Sequence, residues 1–227
     1  MDFYEQTISS SKQIDSIRSI ITQSRFFVAV TGAGISVASG LPLLDVQVEG
    51  LPLREVFRSR LLLENPRAYY EVYRNALQGW LKALPNPAHG ALARSGAWVV
   101  TQNIDGLHRD SGSAHLIELH GNLRELRCQG CNGIFSSDLA FQQAVPECPG
   151  CKKTLFPGFT LEGGKVRHFS LASDWVGRAE VLLIVGTQLA MEPVRQLPNI
   201  ARRNGAAVYW VSQQAEHILP ELLKPMT

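Results

Sequence analysis

The sequence of 227 residues has no long hydrophobic run and no dense block of basic residues. Its longest apolar stretch, residues 206–211, has the length of a strand and is far below the roughly 18 residues of a membrane-spanning helix. The N-terminal segment MDFYEQTISSSKQ lacks the basic start and apolar core of a secretory signal. A net charge of +2 without a Lys/Arg cluster gives no sign of a nucleic-acid or membrane partner. We therefore expect a cytoplasmic protein that binds neither nucleic acid nor membranes.

Charged residues are few, at 19%, whereas hydrophobic residues make up 45% of the chain. This composition excludes a disordered or collagen-like protein and is sufficient for a sizeable core. The length predicts one or two domains.

Only four cysteines are present, and they form two C-x2-C pairs. Sixteen residues separate the first pair, Cys128 and Cys131, from the second pair, Cys148 and Cys151. Two disulfides are the alternative, but a reducing cytoplasm disfavours them. The spacing matches a site in which four thiolates hold Zn²⁺ in a tetrahedron. Because such a site leaves no open coordination position, we expect the zinc to be structural and to stabilise the short module of residues 125–156.

Short apolar segments alternate with helical patterns along the chain. Strands are predicted at residues 26–30, 98–101, 115–119, 181–185 and 207–211, and a long helix at residues 66–83. This alternation predicts an α/β fold, a parallel sheet with helices on both faces. Two insertions interrupt it, namely a loop with helices at residues 43–85 and the zinc module at residues 125–156. The sheet domain then comprises residues 1–42, 86–124 and 157–227.

A turn with two glycines, Gly32-Ala33-Gly34-Ile35-Ser36, follows the first predicted strand. Such a strand-to-helix turn lets backbone N–H groups approach a diphosphate, and the helix N-terminus adds positive potential. The full G-x-G-x-x-G pattern is absent because Val37 occupies the third glycine's position. A tight turn without a ligand would explain this segment almost as well.

Polar residues also follow three later strands. They are Gln102, Asn103 and Asp105 after strand 98–101, His120 after strand 115–119, and Gly186, Thr187 and Gln188 after strand 181–185. Ligands of open α/β sheets bind beyond the carboxyl ends of the strands, so the set predicts a nucleotide crevice. Taken singly, Asn103 and Asp105 also suit a capped turn, and His120 also suits a buried core histidine.

These motifs, in this order, resemble the sirtuin family. The matching segments are GAGIS-x2-SG-x-P from Gly32, TQNIDGLH from Thr101, ELHG from Glu118, the two C-x2-C pairs and GT-x-L from Gly186. The match runs from about residue 26 to residue 211. The resemblance implies a Rossmann-type domain and a small zinc domain with a helical module. It also implies that NAD and the acylated lysine of a protein or peptide bind in the cleft between them.

The resemblance further implies which residues bind NAD. They are Gly32, Ala33, Gly34, Ser36, Gln102, Asn103, Asp105, Gly186, Thr187, Gln188 and Ser212. Asn103 is expected at the nicotinamide ribose and Asp105 at the nicotinamide carboxamide. Gln188 and Ser212 are departures, because the family carries a serine and an asparagine at these positions.

The reaction implied by the family makes His120 and Asn103 the catalytic residues. The acyl oxygen of the substrate lysine attacks the ribose carbon as nicotinamide leaves, and His120 then acts as general base on a ribose hydroxyl. An imidazole suits this step because its ordinary pKa lies near the operating pH. The products are free lysine, nicotinamide and acyl-ADP-ribose.

Other segments depart from the family pattern. Leu44 and Asp45 replace a phenylalanine and an arginine of the cofactor loop, and Glu162-Gly163-Gly164 replaces a substrate-binding Phe-Gly-Glu. Ala76 stands three residues after Tyr73, at the position where a subgroup of the family that removes acidic acyl groups carries arginine. These departures predict a slow enzyme that prefers neutral acyl groups.

Three functions are compatible with the sequence. NAD-dependent protein-lysine deacylation is favoured, because Asn103, Asp105 and His120 are all present. ADP-ribosyl transfer or NAD hydrolysis needs the same nicotinamide pocket but another acceptor, and the altered peptide groove supports it. A weakly active NAD-binding module is the third, which Leu44 and Asp45 support.

Overall fold

The computed structural model describes residues 6–7, 11–43, 47–48, 51–52, 57–161 and 163–225. Leu44 and Asp45, the departures that predict slow turnover, lie outside these residues, as does Glu162.

The described residues form strands and helices that alternate along most of the chain. The strands are β1 (Gln6–Thr7), β2 (Phe27–Thr31), β3 (Gln47–Val48), β4 (Leu51–Pro52), β5 (Trp98–Thr101), β6 (His115–Glu118), β7 (Gly121–Arg127), β8 (Ile134–Ser136), β9 (Phe156–Phe159), β10 (Val181–Val185) and β11 (Ala207–Val211). The helices are α1 (Ser11–Gln23), α2 (Ser59–Glu64), α3 (Pro66–Leu81), α4 (Pro87–Arg94), α5 (Leu107–Asp110), α6 (Leu139–Gln142), α7 (Phe169–Arg178), α8 (Leu197–Arg203) and α9 (Ala215–Leu222). Within the described ranges, every helix is too short or too polar to span a bilayer.

A six-stranded sheet with the order β1-β11-β10-β2-β5-β6 forms the larger part of the fold, and all its pairs are parallel. Thr31 of β2 pairs with Val185 of β10 on one side and Thr101 of β5 on the other. The central strands therefore end level, and the polar residues that follow them meet at one edge of the sheet. The predicted parallel α/β sheet is confirmed.

Helices cover both faces of this sheet, as predicted. One face packs against α1, α4 and α9 through residues such as Ile17, Leu92 and Leu219. The other packs against α7 and α8 through Val176 and Leu197. Strands β2 and β10 are buried along their whole length because both faces are covered, which explains their continuous apolar sequences.

The predicted elements differ from the observed ones mainly at their ends. Strand 26–30 is observed as Phe27–Thr31, and helix 66–83 ends at Leu81. The glycine turn continues into a short 3-10 helix, Ala33–Ser39, which ends because Gly40 adopts a left-handed φ of 82°. The bounds of β5, β10 and β11 are as predicted.

The helical insertion and the zinc module share one hydrophobic core. Helix α3 begins at Pro66, where the side chain of Asn65 caps it, and it buries Tyr69, Tyr70 and Tyr73 completely. These rings pack against the three-stranded antiparallel sheet β8-β7-β9. Two segments that are separate in the sequence therefore form a single second core. Strands β7 and β9 cross the predicted borders of the zinc module, and the division into domains stays a prediction.

Candidate functional site

The glycine loop after β2 packs directly on the turn after β10. Gly32 N donates to Val185 O (3.0 Å) and Gly34 N donates to Gly186 O (2.9 Å). A Cβ on Gly34 would lie 2.7 Å from Gly186 Cα, and a Cβ on Gly32 would lie 2.5 Å from Thr187 Cβ. Both glycines are therefore required for close packing of two backbone segments. Ala33 lies between them, half-buried, and begins the 3-10 helix.

Three side chains of the predicted set form one hydrogen-bonded network. Ser36 Oγ donates to Asp105 Oδ2 (2.7 Å). Asn103 Nδ2 donates to Ser36 Oγ (3.1 Å) and to Gly32 O (3.1 Å). Asp105 Oδ1 accepts from Leu107 N (2.9 Å), which fixes the turn that carries it. The network connects the segment after β2 with the segment after β5 at the shared edge of the sheet.

The Asp105 carboxyl group is nearly completely buried. Burial raises its pKa above the ordinary value, whereas the hydrogen bonds from Leu107 and Ser36 and the charge of Arg124 act to lower it. Arg124 Nε donates to Asp105 O (3.3 Å), and its guanidinium forms an ion pair with Asp110 (2.8 Å). Sequence reasoning missed Arg124, because no motif connects this residue of β7 with the turn after β5.

The remaining predicted cofactor residues lie along the same edge with different environments. Gln102 Nε2 donates to Thr187 Oγ1 (2.8 Å), so the ends of β5 and β10 are in contact. Thr187 Oγ1 also accepts from Leu189 N (3.1 Å). Gln188 and Ser212 are exposed at the ends of β10 and β11, and neither side chain forms a hydrogen bond with another described residue.

His120 lies in the tight turn between β6 and β7. Gly121 after it has a φ of 74°, and His120 O accepts from Thr160 N (2.7 Å). Burial and the nearby Arg167 lower the pKa of the His120 ring below its ordinary value. The imidazole is therefore neutral at neutral pH and able to accept a proton.

Two further histidines pack together behind the hydrogen-bonded network. The rings of His89 and His108 have centroids 4.8 Å apart, and His108 Nε2 lies 2.9 Å from Thr31 Oγ1. Burial lowers the pKa of His89 from 6.5 to about 4. Burial and the neighbouring His89 lower the pKa of His108 well below its ordinary value. Both rings are therefore neutral in the folded protein.

Asn86 connects α4 to the glycine loop. Its Nδ2 donates to Ile35 O (2.7 Å) and to Ser39 Oγ (3.0 Å), and both acceptors belong to the 3-10 helix. Its Oδ1 accepts from Ala88 N (2.9 Å), and its backbone N donates to His89 Nδ1, which completes a capping box at the start of α4. One side chain therefore fixes both helices relative to each other.

The four cysteines converge on one point of the zinc module. Their sulfur atoms all lie within 4.8 Å of one another, and none forms a disulfide. The Sγ atoms of Cys128 and Cys151 are 3.3 Å apart, and those of Cys131 and Cys148 are 3.5 Å apart. Zinc–sulfur bonds of about 2.3 Å in a tetrahedron give sulfur separations of about 3.8 Å, so the cluster fits a four-thiolate zinc site.

Comparisons with known proteins agree on one family. The Sir2 family model matches residues 32–193. The NAD-dependent protein deacylase of Aeropyrum pernix is 36% identical over 206 residues, covering 86% of this chain and 84% of the relative. NAD-dependent protein deacetylase 1 of Pyrobaculum aerophilum is 33% identical, covering 94% of this chain and 95% of the relative.

Two solved structures are similar over nearly the whole fold. A Sir2 homologue in complex with NAD has a TM-score of 0.84 and 28% identity, covering 97% of this chain and 95% of that one. A Sir2 protein bound to a propionylated peptide has a TM-score of 0.80 and 26% identity, covering 93% and 98%. The sequence match, the relatives and the shared fold lead to the same conclusion, and the chain belongs to the Sir2 family.

Proposed function

We propose that this protein is an NAD-dependent protein deacylase, which removes an acyl group from a lysine side chain and releases nicotinamide and acyl-ADP-ribose. The observation that carries the proposal is the buried network of Ser36, Asn103 and Asp105 at the carboxyl edge of the sheet. The names of the relatives and the solved complexes with NAD and a propionylated peptide agree with it.

NAD, when bound, supplies an electrophilic ribose carbon and nicotinamide as the leaving group. In this proposal Asp105 accepts a hydrogen bond from the nicotinamide carboxamide, and Asn103 and Gln102 contact the nicotinamide ribose. The remaining cofactor contacts are assigned to Gly32, Ala33, Gly34, Ser36, Gly186, Thr187, Gln188 and Ser212. Asp105 is preorganised for its task, because Ser36 and Leu107 fix both of its carboxylate oxygens.

His120 is the general base of the proposed reaction. With NAD bound, it would take a proton from a ribose hydroxyl that adds to the acyl carbon. The lysine would leave as the free amine, and one water molecule would supply the oxygen and protons that complete acyl-ADP-ribose. The lowered pKa of His120 supports this role, because a base must be unprotonated before it acts. We assign Asn103 to the same reaction centre, since its amide lies next to Ser36 and Gly32.

Zinc is assigned a structural role in this proposal. Cys128, Cys131, Cys148 and Cys151 would bind one ion and leave no position for substrate. A cytoplasmic location is part of the same proposal, because a reducing compartment keeps four thiols available for the metal.

One experiment separates the proposed function from its alternatives. The purified protein is incubated with NAD and an acetylated peptide, and the products are identified by mass spectrometry. We expect free lysine peptide, nicotinamide and acetyl-ADP-ribose in equal amounts. With the His120→Gln variant we expect neither free lysine peptide nor acetyl-ADP-ribose, because His120 acts after nicotinamide has left. ADP-ribose or ADP-ribosylated protein would instead support the transferase or hydrolase alternative, and unchanged NAD would support a silent binding module.

A further inference from the structure

The segment after β9 is attached to the turn that carries His120. Thr160 N donates to His120 O (2.7 Å), and Arg167 N donates to Leu119 O (2.8 Å). The two residues that flank residues 161–166 are therefore bonded to consecutive carbonyl groups of one turn. The position of this turn depends on Thr160 and Arg167, although both lie at least 40 residues further along the sequence.

The Arg167 side chain packs on the same turn. Its Nη1 donates to Gly158 O (2.7 Å). A Cβ on Gly121 would lie 2.4 Å from this Nη1 and 2.2 Å from Gly158 O. The guanidinium therefore occupies the space beside Gly121 that any larger residue would need, immediately after His120.

The other charged groups on the elements around the turn form pairs among themselves. Arg109 of α5 binds both Glu118 of β6 and Glu125 of β7, and Arg127 of β7 also binds Glu125. Within the described part of the chain, no carboxylate forms an ion pair with Arg167. An arginine stays protonated across the working pH range. Glu118 and Glu125 attract the guanidinium without forming an ion pair with it, and its positive charge still acts on the neighbouring imidazole.

Lys165 and His168 lie close to Arg167 in the sequence but are exposed. Neither forms a hydrogen bond to the turn of His120 in the described residues. Arg167 is the member of this segment whose charge is partly buried against the turn.

We propose that Arg167 is a positioning residue of the active site, whose side chain packs against the Leu119–Gly121 turn and places a positive charge beside the turn that carries His120. The like charge of the guanidinium disfavours the imidazolium form of the ring. The proposal rests on the role of His120 as general base, and it adds a residue that lies outside all the motifs of the sequence.

The test compares Arg167→Met with Arg167→Lys, and Lys165→Met serves as the control that removes the same charge from the exposed loop. The measurement is the pH dependence of kcat/KM for deacetylation, whose acidic limb reports the pKa of the base in the free enzyme. Loss of this nearby charge is expected to move this limb upwards by about 0.5–1 pH unit in Arg167→Met. Arg167→Lys and Lys165→Met are expected to keep the acidic limb of kcat/KM at its wild-type pH. If the acidic limb also stays at the wild-type pH in Arg167→Met that is folded and zinc-loaded, the proposal is overturned.

A direct titration covers the case in which Arg167→Met does not fold. The ring resonances of His120 are assigned by comparing the NMR spectra of wild type and His120→Gln, and they are followed against pH in the wild type. We expect a midpoint below the ordinary value of about 6.5, and a midpoint at or above it overturns the proposal. This titration does not depend on turnover. If His120→Gln retains full deacylase activity, the proposed role of His120 fails, whereas the titration midpoint still tests whether the surroundings of the ring disfavour its imidazolium form.

Discussion

Ser36 donates a 2.7 Å hydrogen bond to Asp105 across 69 residues of sequence, and both side chains are buried. This bond joins the glycine loop to the turn after β5, and it satisfies one oxygen of a carboxyl group that is shielded from water. Loss of the donor would leave this oxygen without a partner, which is costly for a buried charged group.

We therefore predict that Ser36→Ala lowers the free energy of unfolding by about 1–3 kcal/mol and weakens NAD binding. Urea unfolding and calorimetric titration with NAD measure the two effects. Ser16→Ala on the exposed face of α1 is the matched control and is expected to change stability by less than about 0.5 kcal/mol. Equal stability of the two variants would contradict the assigned importance of the bond.

Replacement of Gly34 by alanine is predicted to displace the glycine loop. The new Cβ would lie 2.7 Å from Gly186 Cα and 2.8 Å from Gly186 O, and backbone atoms cannot rotate away. We expect a folded protein whose NAD affinity falls at least tenfold. The control is Gly79→Ala in the exposed part of α3, where no atom lies within 4 Å of the added methyl. That variant is expected to gain about 0.5–1 kcal/mol of stability with unchanged NAD binding. If Gly34→Ala binds NAD as tightly as Gly79→Ala, close packing between the glycine loop and the turn after β10 is not needed for NAD binding.

Metal removal is predicted to unfold the zinc module and to impair catalysis indirectly. Cys128 and Cys148 belong to the same core as Tyr73 and Phe159, so loss of the metal loosens the core that also contains α3. We expect one zinc per chain by elemental analysis, and we expect Cys148→Ala or strong chelation to lower the melting temperature and abolish activity. Full activity in a protein shown to be free of zinc would refute a structural metal.

The buried pair His89 and His108 predicts loss of stability in mild acid. Both pKa values are lowered in the folded state, so the unfolded chain binds more protons as the pH falls below 6.5. The stability that their neutral forms provide is present above pH 6.5 and is lost as the pH decreases toward 4. Each histidine contributes a slope of about 1.4 kcal/mol per pH unit over this window.

Urea unfolding at several pH values between 7 and 4.5 tests this acid effect. His89→Gln is expected to reduce the slope of the unfolding free energy against pH by about 1.4 kcal/mol per pH unit, the contribution of one proton. His217→Gln on the exposed side of α9 is expected to keep the wild-type slope. A wild-type slope that His89→Gln leaves unaltered would mean that other groups cause the acid sensitivity.

The acyl preference is predicted to favour acetyl over succinyl groups. Tyr73 is completely buried, its hydroxyl donates to Leu123 O (3.0 Å), and its ring stacks on Phe159. Arg74 Nη1 donates to backbone carbonyls at the end of α6, among them Ala140 O (2.9 Å), so its guanidinium is already engaged. Neither side chain is available to a carboxylate, so we expect acetyl peptide to react at least tenfold faster than succinyl peptide in parallel assays. A faster reaction of the succinyl peptide would require a cation that this arrangement does not provide.

The local sequence by itself determined five of the six strands of the parallel sheet and the two cysteine pairs. The bounds of β5, β10 and β11 follow from short apolar runs that end in polar or glycine residues, and these runs carry their information within a few residues. The C-x2-C spacing likewise brings the two sulfur atoms of each pair together, because each pair is confined to one tight turn, and the fold then brings the two pairs together.

Only the tertiary structure decided how these pieces act together. The contact of Ser36 with Asp105, the common core of the two insertions, and the position of Arg167 beside His120 all join residues that are far apart in the sequence. Hydrophobic patterns predict which face of an element is buried but not its partner, so the two insertions were predicted separately. A side chain such as Arg167 belongs to no periodic pattern at all. Its role arises from the close approach of two backbone segments, which depends on the packing of the whole fold.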